Sequence, residues 1–222
     1  MGKLIVIEGT DGSGKSTQFR MLSDRLEADK VAFQHIVFPR YKEESSALIR
    51  MYLGGQFGDK PSDVNAYAAS SFYAVDRYAS YKMDWGKWYE EGGLVLSDRY
   101  TTSNAVHQAS KEPEEKQGEF LKWLYDFEYD KLGLPRPDLT IYLDVPTDFT
   151  EKLLRSREAD TNTTADIHEK DMAYLAPCRK TGRKAAQFYG WTLIQCVKDG
   201  QMRSIEDIHE EIYTHVKKCL ED

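Results

Sequence analysis

Three cysteines in 222 residues, at positions 178, 196 and 219, are too few and too widely spaced for a disulfide framework. They also lack the C-x-x-C spacing of zinc and redox pairs, and read as isolated reduced thiols of a cytoplasmic protein. Long apolar runs are missing too. No window approaches the roughly 18 consecutive apolar residues of a membrane span, so no membrane partner is expected. The opening MGKLIVIEG holds one short apolar run ending in Glu8, with no small-residue cleavage site behind it, so no signal peptide is expected. An excess of positive charge is absent: 30 Lys and Arg against 37 Asp and Glu leave −7. That balance argues against a nucleic-acid partner, whose phosphates need clustered cations. Any phosphate bound here must be held by a few focused cations.

What is present fits one α/β domain spanning 1–222, with 41% hydrophobic residues to build a core. Leu4, Ile5, Val6 and Ile7 form the continuous apolar run of a strand buried on both faces. EGTDGSGKST follows, matching G-x-x-x-x-G-K-S/T through Gly9, Gly14, Lys15 and Ser16, and then a segment that places Phe19, Leu22 and Leu26 on one helical face. Strand, glycine-rich loop and helix in that order are what a P-loop requires. The amides of Gly9, Thr10, Asp11, Gly12, Ser13, Gly14, Lys15, Ser16 and Thr17 would cradle the phosphates of ATP. Lys15 would add a mobile positive charge and the Ser16 hydroxyl a ligand for Mg²⁺. Asp11 is the anomaly: it puts a negative charge inside an anion cradle.

Further strands are expected at 31–38, 92–98, 138–146 and 192–197, and helices at 45–53, 63–91 and the C-terminus. Alternating strands and helices predict a P-loop NTPase fold with a five-stranded, mostly parallel sheet, helices on both faces and ligands at the carboxyl ends of the strands. Those ends carry the P-loop, Arg40, Asp98 with Arg99, and Asp144. Asp98 beside Arg99 offers a carboxylate for metal or water next to a cation for phosphoryl oxygens; a structural ion pair is the plain alternative. No N-K-x-D guanine-reading sequence occurs, which lowers the GTPase reading.

GTDGSGKST, the strand-end Phe38-Pro39-Arg40, Tyr73 and Arg77 in FYAVDR, Asp98-Arg99-Tyr100 followed by Ser103 and Gln108, LDVP and an arginine-bearing polar segment at 155–171 occur in one order. In that order they resemble the thymidylate kinases, which phosphorylate dTMP with ATP. The resemblance implies a role for each matching residue. Arg40 and Arg99 would grip the acceptor phosphate beside Phe38. Tyr73 would stack on thymine, and Arg77 with Asn104 or Gln108 would read its polar edge, with Ser103 shaping the wall. Asp98 would join Ser16 at the metal, and Asp11 would reach the acceptor sugar, directly or through Mg²⁺ and water, and orient Arg40 or Arg99. Segment 155–171 would be a short lid, with Arg155 and Arg157 meeting transition-state charge and Glu169 near the sugar. Its stretch ADTNTTAD lacks a basic residue often found there, which leaves open a catalytically weak nucleotide-binding paralogue; a deoxynucleoside kinase is the other alternative. The family commonly forms homodimers through helices like 63–91; alternatively Tyr67, Phe72, Tyr78 and Tyr81 pack within one chain.

Overall fold

The structure, a computed structural model, describes residues 1–150, 153 and 172–221. Its main strands are β1 Lys3–Gly9, β2 Phe33–Val37, β3 Leu94–Asp98, β4 Leu139–Asp144 and β5 Thr192–Gln195. The helices are α1 Lys15–Ala28, α2 Ala47–Leu53, α3 Ala66–Ser80, α4 Gly86–Glu90, α5 Thr101–His107, α6 Gln117–Tyr125, α7 Met172–Tyr189 and α8 Ile205–Glu221. The strands pair in the order β2-β3-β1-β4-β5, every neighbour parallel.

β1 takes the centre because its apolar run tolerates burial on both faces, and the strand alternation sends successive side chains to opposite layers. Ile5 and Ile7 join Phe19, Leu22 and Leu26 of α1 and Ile208, Ile212 and Val216 of α8. Leu4 and Val6 meet Phe38, Tyr81, Trp85, Tyr89 and Tyr100 on the other side. The strand order sets β3 directly beside β1, with Ile7 opposite Asp98, so the P-loop and the segment after Asp98 emerge side by side.

The helix read at 63–91 is α3 and α4 joined through a π turn at Tyr81–Trp85, which swings fully buried Trp85 into the core beneath Tyr89 and Tyr100. A second π turn, Asp126–Lys131, continues α6. The strand read at 192–197 ends at Gln195. Beyond it, β6 Val197–Lys198 and β7 Gln201–Met202 form a small antiparallel hairpin. Its turn, Asp199-Gly200, has positive φ at both residues, the Asp-Gly hairpin signal that the sequence reading passed over.

α7 lies against β4 through Gly182. A Cβ there would stand 2.2 Å from the Tyr142 hydroxyl oxygen, and Tyr142 is fully buried with no room to yield. Glycine to alanine inside a helix ordinarily gains about 1 kcal/mol. Gly182→Ala is instead expected to destabilise by about 1–3 kcal/mol through overpacking, measured by urea denaturation; a stabilised variant would refute this close helix–strand approach.

Candidate active site

The P-loop bends through Gly12 and Gly14, whose φ angles of 75° and 83° favour residues without a Cβ. Gly14 is the N-cap of α1, so the loop amides and the helix start face one space. That space is a cavity of about 630 Å³ at the carboxyl ends of the strands. Residues 11–17 form one side; Phe38, Tyr73, Arg77, Asp98, Arg99, Ser103, Asn104 and Gln108 lie around the rest. Gly9 and Thr10 lie beneath, their carbonyls accepting from Lys15 Nζ at 2.9 Å each.

A charge cluster sits where the two sides meet. Arg99 donates to the Asp11 carboxylate, and Lys15 Nζ stands 3.9 Å from the same oxygen. Beneath them Glu8 is fully buried; it accepts from Thr102 at 2.8 Å and Ser103 at 2.7 Å and lies 3.7 Å from Arg99. Arg99 also donates to Ser103 Oγ at 3.2 Å, and its Nη1 is 3.3 Å from His107 Nε2. Its backbone has φ 66°, an uncommon conformation outside glycine, and its N–H donates to Ile7 across the sheet. Burial opposes the charge on both cations. For Lys15 burial wins, helped by repulsion from Arg99, and its pKa falls. For Arg99 the carboxylates of Asp11, Glu8 and Asp98 outweigh burial and raise its pKa.

The other wall is built on a buried ion pair. Arg77, 1% exposed, donates through Nε and Nη2 to Glu128 at 2.6 and 2.5 Å; Glu128 is fully buried and also accepts from Thr101 at 2.8 Å. Burial disfavours the Arg77 charge, but Glu128 carries its pKa above the ordinary value. Among the described residues Nη1 has one long contact, 3.4 Å to the Tyr100 carbonyl. Asn104 is steadied by a bond to the Ser70 carbonyl, while the buried Gln108 Oε1 has no hydrogen-bond partner among the described residues. Phe38 packs on Tyr100, 6.0 Å between ring centroids, and half-buried Tyr73 joins the cluster around Tyr52. Asp98 and Ser16 both border the cavity.

One expectation needs correction. Arg40 does not line the cavity: its guanidinium is committed to Asp76 at 3.1 Å, to Asp84 and to Ser45 at 2.9 Å, while its backbone N–H donates to Asp76 at 2.8 Å. Two carboxylates on the α3–π-turn face outcompete the open site, so Arg40 braces the Phe38-Pro39 turn against α3. Asp144, at the end of β4, holds Arg179 at 2.8 Å and Arg183 at 2.9 Å from α7. Arg155, Arg157 and Glu169 lie outside the described residues. The sequence reading missed Glu8, Tyr41, His107 and Glu128. A carboxylate at the end of an apolar strand could have flagged Glu8; no local pattern marks Glu128, which meets Arg77 across 51 positions.

A P-loop facing a second, cation-lined compartment on one sheet edge defines a P-loop phosphotransferase of the nucleoside monophosphate kinase class. The chain belongs to the thymidylate kinase family, whose model matches residues 7–212. It is 34% identical over 172 residues to a thymidylate kinase of Mycobacterium tuberculosis, covering 76% of this chain and 78% of that one. It is 31% identical to a probable thymidylate kinase of Pyrococcus horikoshii, covering 99% and 98%. A solved thymidylate kinase structure from Candida albicans shares the fold with a TM-score of 0.72, at 20% identity, covering 98% of this chain and 92% of that one.

Replacing Glu128 by Gln would leave the Arg77 charge buried without its counter-ion. Glu128→Gln is expected to lower stability by about 3–5 kcal/mol in denaturant titration. Unchanged stability would mean that Arg77 does not depend on this pair.

Proposed function

We propose that this protein transfers the γ-phosphoryl group of ATP to dTMP, giving dTDP and ADP. The observation that carries the reading is the Asp11, Arg99 and Lys15 cluster at the seam between P-loop and acceptor compartment. The acceptor phosphate oxygen is already anionic, so no protein nucleophile is needed. The work is to bring two anions together in line and offset their charge. Lys15 and the loop amides would hold the donor phosphates, and Arg99 would take the acceptor phosphate, with Tyr41, which also borders the cavity, alongside. Asp11 would hold Arg99 in place and face the acceptor sugar.

Tyr73 would stack on the base. Arg77, its other nitrogens fixed by Glu128, would offer Nη1 to a base carbonyl, and Gln108 Oε1 an acceptor for a ring N–H. Such an edge rejects analogues that cannot complete its hydrogen bonds. The oxygen donors at the seam, the Ser16 hydroxyl and the Asp98 and Asp11 carboxylates, suit Mg²⁺, which is held by one or two protein oxygens with phosphates and water rather than by an all-protein cage. When bound, the ion would neutralise phosphate charge.

Arg155, Arg157 and Glu169 would complete the centre from segment 155–171. The exposed Val75 and Tyr78 of α3 and Met83 of the π turn support a homodimer formed through this face, whereas Tyr67 packs on Phe120 and Trp123 within the chain. Among the described residues no helix is long and apolar enough to cross a membrane, and a cytoplasmic location fits a nucleotide kinase.

ADP formation measured with dTMP, dUMP, dCMP, dAMP and thymidine tests the reading. Turnover should be greatest with dTMP and absent with thymidine; activity confined to the unphosphorylated nucleoside would overturn it. Replacing Arg155 and Arg157 together by Ala is expected to cost roughly 10³-fold in kcat, comparable with loss of an arginine finger. Unchanged turnover would favour a weak nucleotide-binding paralogue.

A further inference from the structure

Lys111 ends the 3₁₀ turn Ala109–Lys111 that follows α5. Lysine ammonium groups seldom leave water without a carboxylate to pair with, yet among the described residues none forms an ion pair with this one. Nζ donates instead to the Tyr52 hydroxyl and to the Val64 carbonyl, both at 2.9 Å, and stands 4.9 Å over the Tyr52 ring.

The side-chain partners of Lys111 belong to one side of the acceptor compartment, its backbone partner to another. Tyr52, fully buried in α2, packs in one cluster with Leu53, Val64, Phe72 and Tyr73. Val64 precedes α3, the helix that carries Tyr73 and Arg77. The Lys111 backbone N–H, for its part, donates to the Gln108 carbonyl at 3.1 Å, and Gln108 lies with Asn104 on the facing wall. Leu53, Tyr73, Asn104 and Gln108 all line the cavity. One residue thus fastens the stacking wall to the hydrogen-bonding wall.

We propose that Lys111 is a positioning residue that sets the gap between these two walls, and with it the affinity for the pyrimidine of the acceptor, without touching substrate. The inference rests on the kinase reading above. A charged donor and a cation over an aromatic ring each hold more strongly than their neutral counterparts. The clamp is therefore tightest when Lys111 is protonated.

Burial lowers its pKa to about 7, opposed only by the Cys178 thiol. Among the described residues the titratable groups facing it are that thiol, on α7, and the Tyr52 phenol, on α2. As pH rises past about 7 the ammonium loses its proton; the amine keeps two donors but loses its charge and its hold on the ring. Global stability moves the other way over this window. The unfolded chain keeps the proton up to the ordinary lysine pKa, so unfolding takes up a proton and this group's contribution to stability rises with pH. A loss of acceptor affinity over the same range is therefore not a loss of fold.

The test is steady-state kinetics of Lys111→Met, Lys111→Arg and wild type between pH 6 and pH 8.5, with melting temperatures as a control. At pH 6 the Met variant should raise KM for dTMP about tenfold, with kcat and KM for ATP within about twofold. Arg should restore most of the loss. The Met-to-wild-type ratio of KM should shrink as pH passes 7, a comparison in which titration of the substrate cancels. Should the Met variant not fold, Tyr52→Phe, which removes one hydroxyl and keeps the ring, should raise KM for dTMP alone. An unchanged KM for dTMP, or equal rises for dTMP and ATP, would overturn the proposal. Wild type that forms no ADP with dTMP would instead overturn the kinase reading.

Discussion

The Asp11–Arg99 ion pair is the interaction on which the rest of the site depends. Phosphoryl transfer between two anions needs cations already assembled where the anions will meet. Cations left alone repel one another, and in this protein burial first and then Arg99 lower the pKa of Lys15. Asp11, Glu8 and Asp98 resolve that conflict by surrounding Arg99 with negative charge, so that burial does not expel it. The carboxylate that looks misplaced in an anion cradle is the counter-ion that lets the cradle carry a neighbouring arginine.

The fold serves this pair. β1 and β3 are adjacent and parallel, so a loop leaving one and a turn leaving the other meet at the same level. The positive φ of Arg99 turns the chain as it leaves β3. Behind the acceptor wall the same logic recurs in drier surroundings. Glu128 holds Arg77 by two nitrogens and leaves the third toward the cavity. A buried pair of this kind contributes little net stability, because desolvation offsets attraction. Its value is orientation: an arginine aimed by its counter-ion offers its remaining donors without searching for a rotamer.

Much of this was legible in the sequence, for reasons that are local. The buried run Leu4–Ile7, the glycine spacing and the apolar face of α1 determine strand, loop and helix over short distances, and the P-loop followed from them. Asp11, Tyr73, Arg77, Arg99 and Gln108, drawn together by separate motifs, all line one cavity. What was missed depends on distant partners. Arg40 reads as a phosphate ligand until α3 brings Asp76 and the π turn brings Asp84 to it. Glu128 reads as one acid among many until a π turn points it at Arg77. The clamp at Lys111 joins three segments that no motif connects.

The most direct test is Asp11→Ala, assayed for dTMP phosphorylation and, separately, for ATP binding. If Asp11 serves chiefly to place Arg99 and face the acceptor, kcat/KM for dTMP should fall about 100-fold while ATP affinity changes by no more than a few-fold. Equal losses in both would contradict the account and return Asp11 to the phosphate cradle.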